Sequence, residues 1–300
     1  MVPQIIKTEA VCETWFRTLL AKQQEGVILS VFDRAANFDF SDGITSVLCR
    51  GRSLQPYSCR TSGPITFSEI GLRPGMQVRA DANGIQIEDR WLITFEGSDC
   101  VDMNIQNRVC PEGYGIYHPD AEPVLFVLKE IGDENGLSNL ATGTGSNVYA
   151  DLIRPRLPVL FEAIKHKNGK DAAEAAGRIA GCGVGLTPSS DDLLNGYFCI
   201  LQAKACLEKD SELKGIIRSA ADAAAEKTNR ISGTFLSQVG KGMASEDVLN
   251  LLHLIYSDTD AERIRRAAKR VAEFGSTSGT DTLAGIVLAV KNHYGGKYSG

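Results

Sequence analysis

Two short stretches of this 300-residue chain gather residue types that could do chemistry. The first, "GCGVGLTPSSDDLLNGYF" (181–198), sets three glycines, three hydroxyls and the Asp191-Asp192 doublet ahead of an apolar helical run. Gly181 suits the left-handed position that ends a helix. Thr187 is a good N-cap, Pro188 fits the first helical position, and Ser189 to Asp192 fill a first turn. A glycine loop over a helix N-terminus offers free N–H groups and a positive dipole end to an anion. Gly183, Gly185, Thr187, Ser189 and Asp191 are therefore candidate anion-binding residues, and Asp192 a candidate catalytic one. Neither familiar nucleotide motif fits. "AAEAAGRIA" before the loop reads as a helix where a dinucleotide fingerprint needs a strand, and no Gly-Lys-Ser/Thr closes a P-loop.

The second stretch, "FGSTSGTDTLAGIVLAV" (274–290), repeats this arrangement. Aligning Asp192-Leu-Leu-Asn-Gly196 with Asp281-Thr-Leu-Ala-Gly285 matches Asp, the second Leu and Gly, and sets Ser189 over Ser278. Two helix starts of one design could face each other across a pocket. Ser278, Gly279 and Thr280 join the anion-binding candidates and Asp281 the catalytic ones. The glycine four residues after each Asp would let its helix approach a neighbour closely. Helix N-termini attract anions while Asp191, Asp192 and Asp281 repel them. Three resolutions stay open: the carboxylates order the loops, accept N–H bonds from an amide-bearing ligand, or hold Mg²⁺ beside a phosphate. The first two are preferred, so no metal ligands are assigned and Mg²⁺ stays an alternative cofactor. Dianions usually call for arginine. Arg154, Arg156, Arg178 and Arg230 are the candidates, with Arg230 foremost because "KTNRISGTF" puts it in a polar turn before a helix.

The elements that must position these residues fall into two kinds. A first helix is expected over 8–22, where Val11, Trp15 and Leu19 recur on one face. Strands are expected at 26–32, 44–49, 65–70, 76–80, 85–88 and 91–95. In "ADANGIQIED", Asn83-Gly84 marks a type I′ hairpin. From about residue 120 the pattern turns helical: 124–131, 147–165, 171–180, 189–207, 212–227, 233–239, 246–256, 260–274 and 280–293. Thr259 and Glu262 have capping-box spacing. Strands followed by helices indicate an α+β fold, with an antiparallel β-rich domain, barrel- or sandwich-like, over 1–122. An all-α domain over 123–300 then carries both loops.

Bulk properties narrow the function classes. A net charge of −5 and a pI near 5.5 argue against a nucleic-acid binder. The longest apolar runs are too short to span a bilayer. No signal-peptide pattern opens the chain, so a cytoplasmic address is expected. Eight cysteines show no CxxC pair and the four histidines are scattered, which reads as reduced, mostly buried thiols.

Together, "GxGxGLTPSxDDxLxG" and "SGxDxLAG" resemble the AllH-like family. "VFDRAANFDFSDGITSVL" (31–48) and Ser62-Gly63-Pro64 are similar to it as well. Ser190 stands where the family usually has a glycine, which weakens any claim of a ligand against that backbone. The resemblance implies a subunit of oxamate carbamoyltransferase, taking part in phosphate-dependent cleavage of oxalurate to oxamate and carbamoyl phosphate in allantoin breakdown. The implied partners are a small carboxylate or phosphate substrate and other subunits of a hetero-oligomer, or further copies of the chain. Under that reading Thr187, Ser189, Ser278 and Thr280 donate to anion oxygens, and Asp192 and Asp281 order the loops or accept carbamoyl N–H bonds. Asn37 would reach a cleft between domains. The competing classes are a non-catalytic anion-binding or scaffolding subunit and a Mg²⁺-dependent phosphotransferase.

Overall fold

A computed structural model describes residues 3–41, 43–109 and 118–295. The chain divides into two compact units, Met1–Met103 and Asn104–Gly300.

The first unit is β-rich. In chain order it contains β1 (Gln4–Cys12), α1 (Glu13–Ala21), β2 (Gln24–Val31), β3 (Ala35–Phe40), β4 (Gly43–Leu48) and β5 (Ser58–Thr61). β6 (Gln77–Asp81), β7 (Gly84–Ile87), β8 (Trp91–Thr94) and β9 (Asp99–Val101) complete it. The strand order β5-β4-β3-β2-β6-β7-β8-β1 closes on itself through a β5–β1 pairing, giving an eight-stranded barrel with β9 added on β1. Closure removes the open edges that an exposed sheet would have to protect. Alternation fills the interior: Ala36, Phe38 and Phe40 of β3 are all buried, as are Ile85 and Ile87 of β7. Trp15 of α1 packs edge-on against Phe95, ring centroids 5.5 Å apart.

Most ladders are antiparallel, as the hairpin signals imply, but β1–β8, β1–β9 and β4–β5 are parallel. All three lie where a longer connection replaces a hairpin, and parallel pairing requires such a connection. The helix expected over 8–22 begins only at Glu13, because Thr8 to Cys12 extend β1, whose Ile6, Thr8 and Ala10 face inward. No strand forms at 65–70. There Phe67 N–H donates to Asp33 O at 3.0 Å and the Ser68 hydroxyl to Asp33 Oδ1 at 2.5 Å, holding the segment as turns. The β6–β7 hairpin exists, but Asp81 pairs with Gly84, so Ala82-Asn83 is its loop. Neither loop residue has positive φ, which excludes type I′. Gly84 serves packing instead: a Cβ there would meet Ile93 O at 2.0 Å.

The second unit is helical among its described residues. It begins with α2 (Ile105–Val109), α3 (Glu122–Ile131), α4 (Ser138–Thr142), α5 (Val148–Ile153), α6 (Leu157–Lys165) and α7 (Gly169–Ile179). It continues with α8 (Ser189–Leu207), α9 (Ser211–Ala225), α10 (Arg230–Gly240), α11 (Glu246–Ser257), α12 (Ala261–Ala272) and α13 (Ser278–His293). The single helix expected over 147–165 is two, α5 and α6, interrupted around Pro155, which lacks the N–H a continuous helix needs. α12 is capped by Asp260, which accepts from Glu262 N–H, so the Thr259 capping box does not form. α8 and α13 are buried on nearly every side and form the centre of the unit. Leu193, Leu194, Phe198, Ile200 and Leu201 of α8 are fully buried, each contributing about 1.5–3 kcal/mol of apolar transfer. No described helix is long and apolar enough to cross a membrane.

Candidate functional site

The two helix starts singled out by spacing meet. Thr187 Oγ1 lies 2.9 Å from Ser278 Oγ, joining the loop before α8 to the first residue of α13. The helices cross at their glycines. A Cβ on Gly196 would lie 1.9 Å from Thr282 O, and one on Gly285 would lie 1.9 Å from Leu193 O. Those partners follow Asp281 and Asp192 respectively, so the alignment in the sequence is a near two-fold relation in space.

The glycine loop is built to cover the start of α8. Gly181 has φ +77° after the last residues of α7, and a Cβ there would meet Lys227 O at 2.7 Å. Gly183 (φ +138°) passes so close that a Cβ would lie 2.4 Å from Ser189 N. Ser190 explains its own departure from glycine: it is fully buried, its hydroxyl accepts from Cys182 N–H at 2.8 Å, and its N–H returns to Cys182 O at 3.0 Å. The N-cap of α8 is Pro188, not Thr187, and a proline ring has no side-chain acceptor to cap with; the Thr187 hydroxyl is engaged with Ser278 instead. Gly185 (φ +94°) faces open space, and Val184 and Leu186 beside it are exposed.

The three aspartates divide into two kinds. Asp191 is saturated: Oδ1 accepts from Gly181 N–H at 2.7 Å, and Oδ2 from the hydroxyls of Thr228 at 2.5 Å and Ser232 at 2.7 Å. It ties the glycine loop to the start of α10, and Asn229 adds a bond to Leu186 O at 2.9 Å. Asp192 and Asp281 are different. Both are buried, and the Oδ2 of each has no hydrogen-bond partner among the described residues. Asp281 Oδ1 accepts from Leu137 N–H at 2.5 Å.

Burial pushes the Asp192 carboxyl well above the ordinary range; the Ser278 and Thr187 hydroxyls pull the other way, and the charge of Asp281 raises it further. Burial likewise raises Asp281 to about 6, against the pull of Leu137 N–H and the Ser189 and Thr277 hydroxyls. Each aspartate is thus faced by the first serine of the other helix. Two buried, interacting carboxyls titrate as a pair and hold a proton to higher pH than free ones. Their unpaired oxygens are acceptors awaiting donors, since an unsatisfied buried polar atom costs about 1–3 kcal/mol.

The remaining candidates separate from this cluster. The Thr280 hydroxyl donates to Thr277 O at 2.8 Å. Gly279 serves helix packing, as a Cβ there would meet Val271 O at 2.2 Å. Arg230 is the exposed first residue of α10. Asn37 lies on β3 of the barrel unit, where its amide donates to Ser30 Oγ at 2.9 Å and accepts from Ser46 Oγ at 2.7 Å. Among the described residues no group of three or more His, Cys, Asp or Glu side chains is arranged to hold a metal ion.

The sequence reading missed the 136–137 segment. Gly136 passes Asp281 so closely that a Cβ would lie 2.5 Å from Oδ1, and Asn147 Nδ2 fixes it by donating to Gly136 O at 2.6 Å. The polar run "ENGLSNLATGTGSN" carried the turn chemistry for it, but the five-residue α4 is too short to show a helical period.

No solved structure matches the chain. The AllH family N-terminal domain matches residues 7–100, which contain nearly the whole barrel. The family described as oxamate carbamoyltransferase subunit AllH matches residues 179–290, from the end of α7 through both glycine-aspartate helix starts. With its barrel and its paired helix starts each matched in chain order, the chain belongs to the AllH family.

Proposed function

We propose that this chain is a working subunit of an oxamate carbamoyltransferase complex, and that the Asp192–Asp281 pair binds the carbamoyl group being transferred. The observation that carries the reading is the pair of buried, unpartnered Oδ2 atoms at two facing helix starts. In the reaction, an oxygen of hydrogen phosphate attacks the ureido carbon of oxalurate. The bond from that carbon to the inner nitrogen breaks, and the phosphate proton passes to the nitrogen as oxamate leaves. Carbamoyl phosphate is the second product. A terminal carbamoyl NH₂ presents two donors, which matches two acceptor oxygens. The helix dipoles at Ser189 and Ser278 favour the phosphate and carboxylate charge nearby. Positioning of this kind accelerates group transfer without a covalent nucleophile.

Exposed Val184 and Leu186 on the glycine loop favour an arrangement in which a partner subunit covers the site. The test is oxalurate cleavage by the complex reconstituted with its partner subunits. Asp192→Asn and Asp281→Asn are each expected to lower the phosphate-dependent rate by about 10²-fold or more while the helical circular dichroism stays unchanged. Full activity in both variants overturns the assignment. The same assay run with a chelator reads out any Mg²⁺ requirement.

A further inference from the structure

The barrel unit holds a cleft that the proposed reaction leaves unused, and three cations converge on it. Lys7, Arg34 and Arg50 line a space of about 890 Å³, in which Glu69 is the sole lining carboxylate. Lys7 and Arg34 form no ion pair among the described residues. Arg50 Nε stands 3.9 Å from Glu9 Oε2, but Glu9 already accepts from Arg60 Nε at 2.7 Å, so the charge of Arg50 is largely uncompensated.

The cleft is held rigid from behind. The carbonyl of Arg34 accepts from Cys49 N–H at 3.0 Å, while neighbouring Asp33 anchors Phe67 and Ser68. Arg50 N–H donates to Thr61 Oγ1 at 3.2 Å, and that hydroxyl donates to Gly63 O at 2.9 Å. Ser62 N–H closes onto Lys7 O at 2.9 Å. Along the resulting loop the N–H groups of Gly63, Ile65 and Thr66 donate to no acceptor among the described residues, though all three residues are half-buried. Free backbone amides and two arginines lining one cleft are the donor types from which oxyanion receptors are made. "VFDRAANF" and Ser62-Gly63-Pro64, both conspicuous in the sequence, supply Arg34 and that loop.

We infer that this cleft is a binding site for a small oxyanion, carboxylate or phosphoryl, distinct from the Asp192–Asp281 pair. The inference is independent of the carbamoyl-transfer reading. It is tested on the full chain by titrating inorganic phosphate and malonate, separately and at constant ionic strength, while following amide ¹⁵N–¹H resonances. The expected result is a saturable shift of Gly63, Ile65 and Thr66 with at least one of the two anions. The anion that saturates at lower concentration identifies the phosphoryl or carboxylate class. Arg34→Gln combined with Arg50→Gln should raise the apparent Kd at least tenfold, whereas Asp281→Asn should leave it unchanged. Shifts that do not saturate with either anion, or that survive the double substitution, overturn the proposal.

Discussion

At the scale of single residues, adjacent aspartates in one helical turn do opposite work. Asp191 uses both carboxylate oxygens on its own protein, while Asp192 and its counterpart Asp281 each leave one oxygen without a partner among the described residues. A site poised in this way trades stability for function. Asp281 is raised to about 6 from an ordinary value near 3.8, so its contribution is present at low pH and lost as pH rises through that interval. Asp281→Asn should accordingly be more stable than the parent at pH 7 by up to about 3 kcal/mol, an advantage that shrinks to about 0.5 kcal/mol at pH 4 and vanishes below the unfolded pKa, as read by urea denaturation. Gain of stability with loss of activity in one variant is the signature expected of this position. His293 supplies the opposite slope. Its ring nitrogen lies 2.6 Å from the Tyr197 hydroxyl, and burial, with Lys204 and Lys165, lowers it to about 4. Its unfolded form takes up a proton first, so stability falls as pH drops from about 6.5 towards 4. From pH 7 to pH 4 the balance between His293→Gln and the parent should shift towards the variant by up to about 3 kcal/mol.

At the scale of elements, the site rests on how closely α8 and α13 pack. Gly196 and Gly285 each face a backbone carbonyl of the other helix with no room for a methyl group. Gly196→Ala or Gly285→Ala should cost about 3 kcal/mol or more, because backbone, not a flexible side chain, must move. Chemical denaturation measures this directly, and a cost below 1 kcal/mol would show that the helices can part. These elements were also the most legible in the sequence. α8 begins and ends where its residues indicate, since Pro188, the acidic first turn and a long apolar run agree with one another. Other elements misled for identifiable reasons. Val11, Trp15 and Leu19 recur at helical spacing, yet β1 buries Thr8 and Ala10, small residues that hide a strand's alternation. β3, "AANFDF", alternates cleanly but contains Ala, Asn and Asp, which are poor strand formers. The roles at the site were less legible than its location. The Asp doublet marked the place, but only tertiary donors such as Thr228, Ser232 and Leu137 distinguish the saturated carboxylate from the unsaturated pair.

At the scale of the whole molecule, thiol chemistry reports the two cores. Cys12, Cys49, Cys59 and Cys199 are buried, Cys182 and Cys206 half-buried, and Cys100 exposed; Cys110 lies outside the described residues. Burial holds the Cys59 thiol far above its usual range and raises Cys199 to about 12. Peptide-mapped alkylation of the native protein should therefore modify Cys100 first and Cys182 and Cys206 more slowly. The four buried thiols should react only as denaturant opens their units. Early labelling of Cys59 would contradict a closed barrel, and early labelling of Cys199 a closed helical core.

Barrel closure has a kinetic consequence. β1 takes its partners from β5, β8 and β9, so its hydrogen-bonding edges are completed by chain 48 to 89 residues further on. During synthesis the edge of this strand that takes β8 and β9 must wait, unpaired, until the ribosome has released the residues around Trp91 to Val101. Pairings of such long sequence separation make closure the slow step of barrel folding. They also expose β1 to mispairing with other chains in the interval. Its outward-facing Lys7 and Glu9 place charge on the waiting strand, the kind of feature that discourages such pairing.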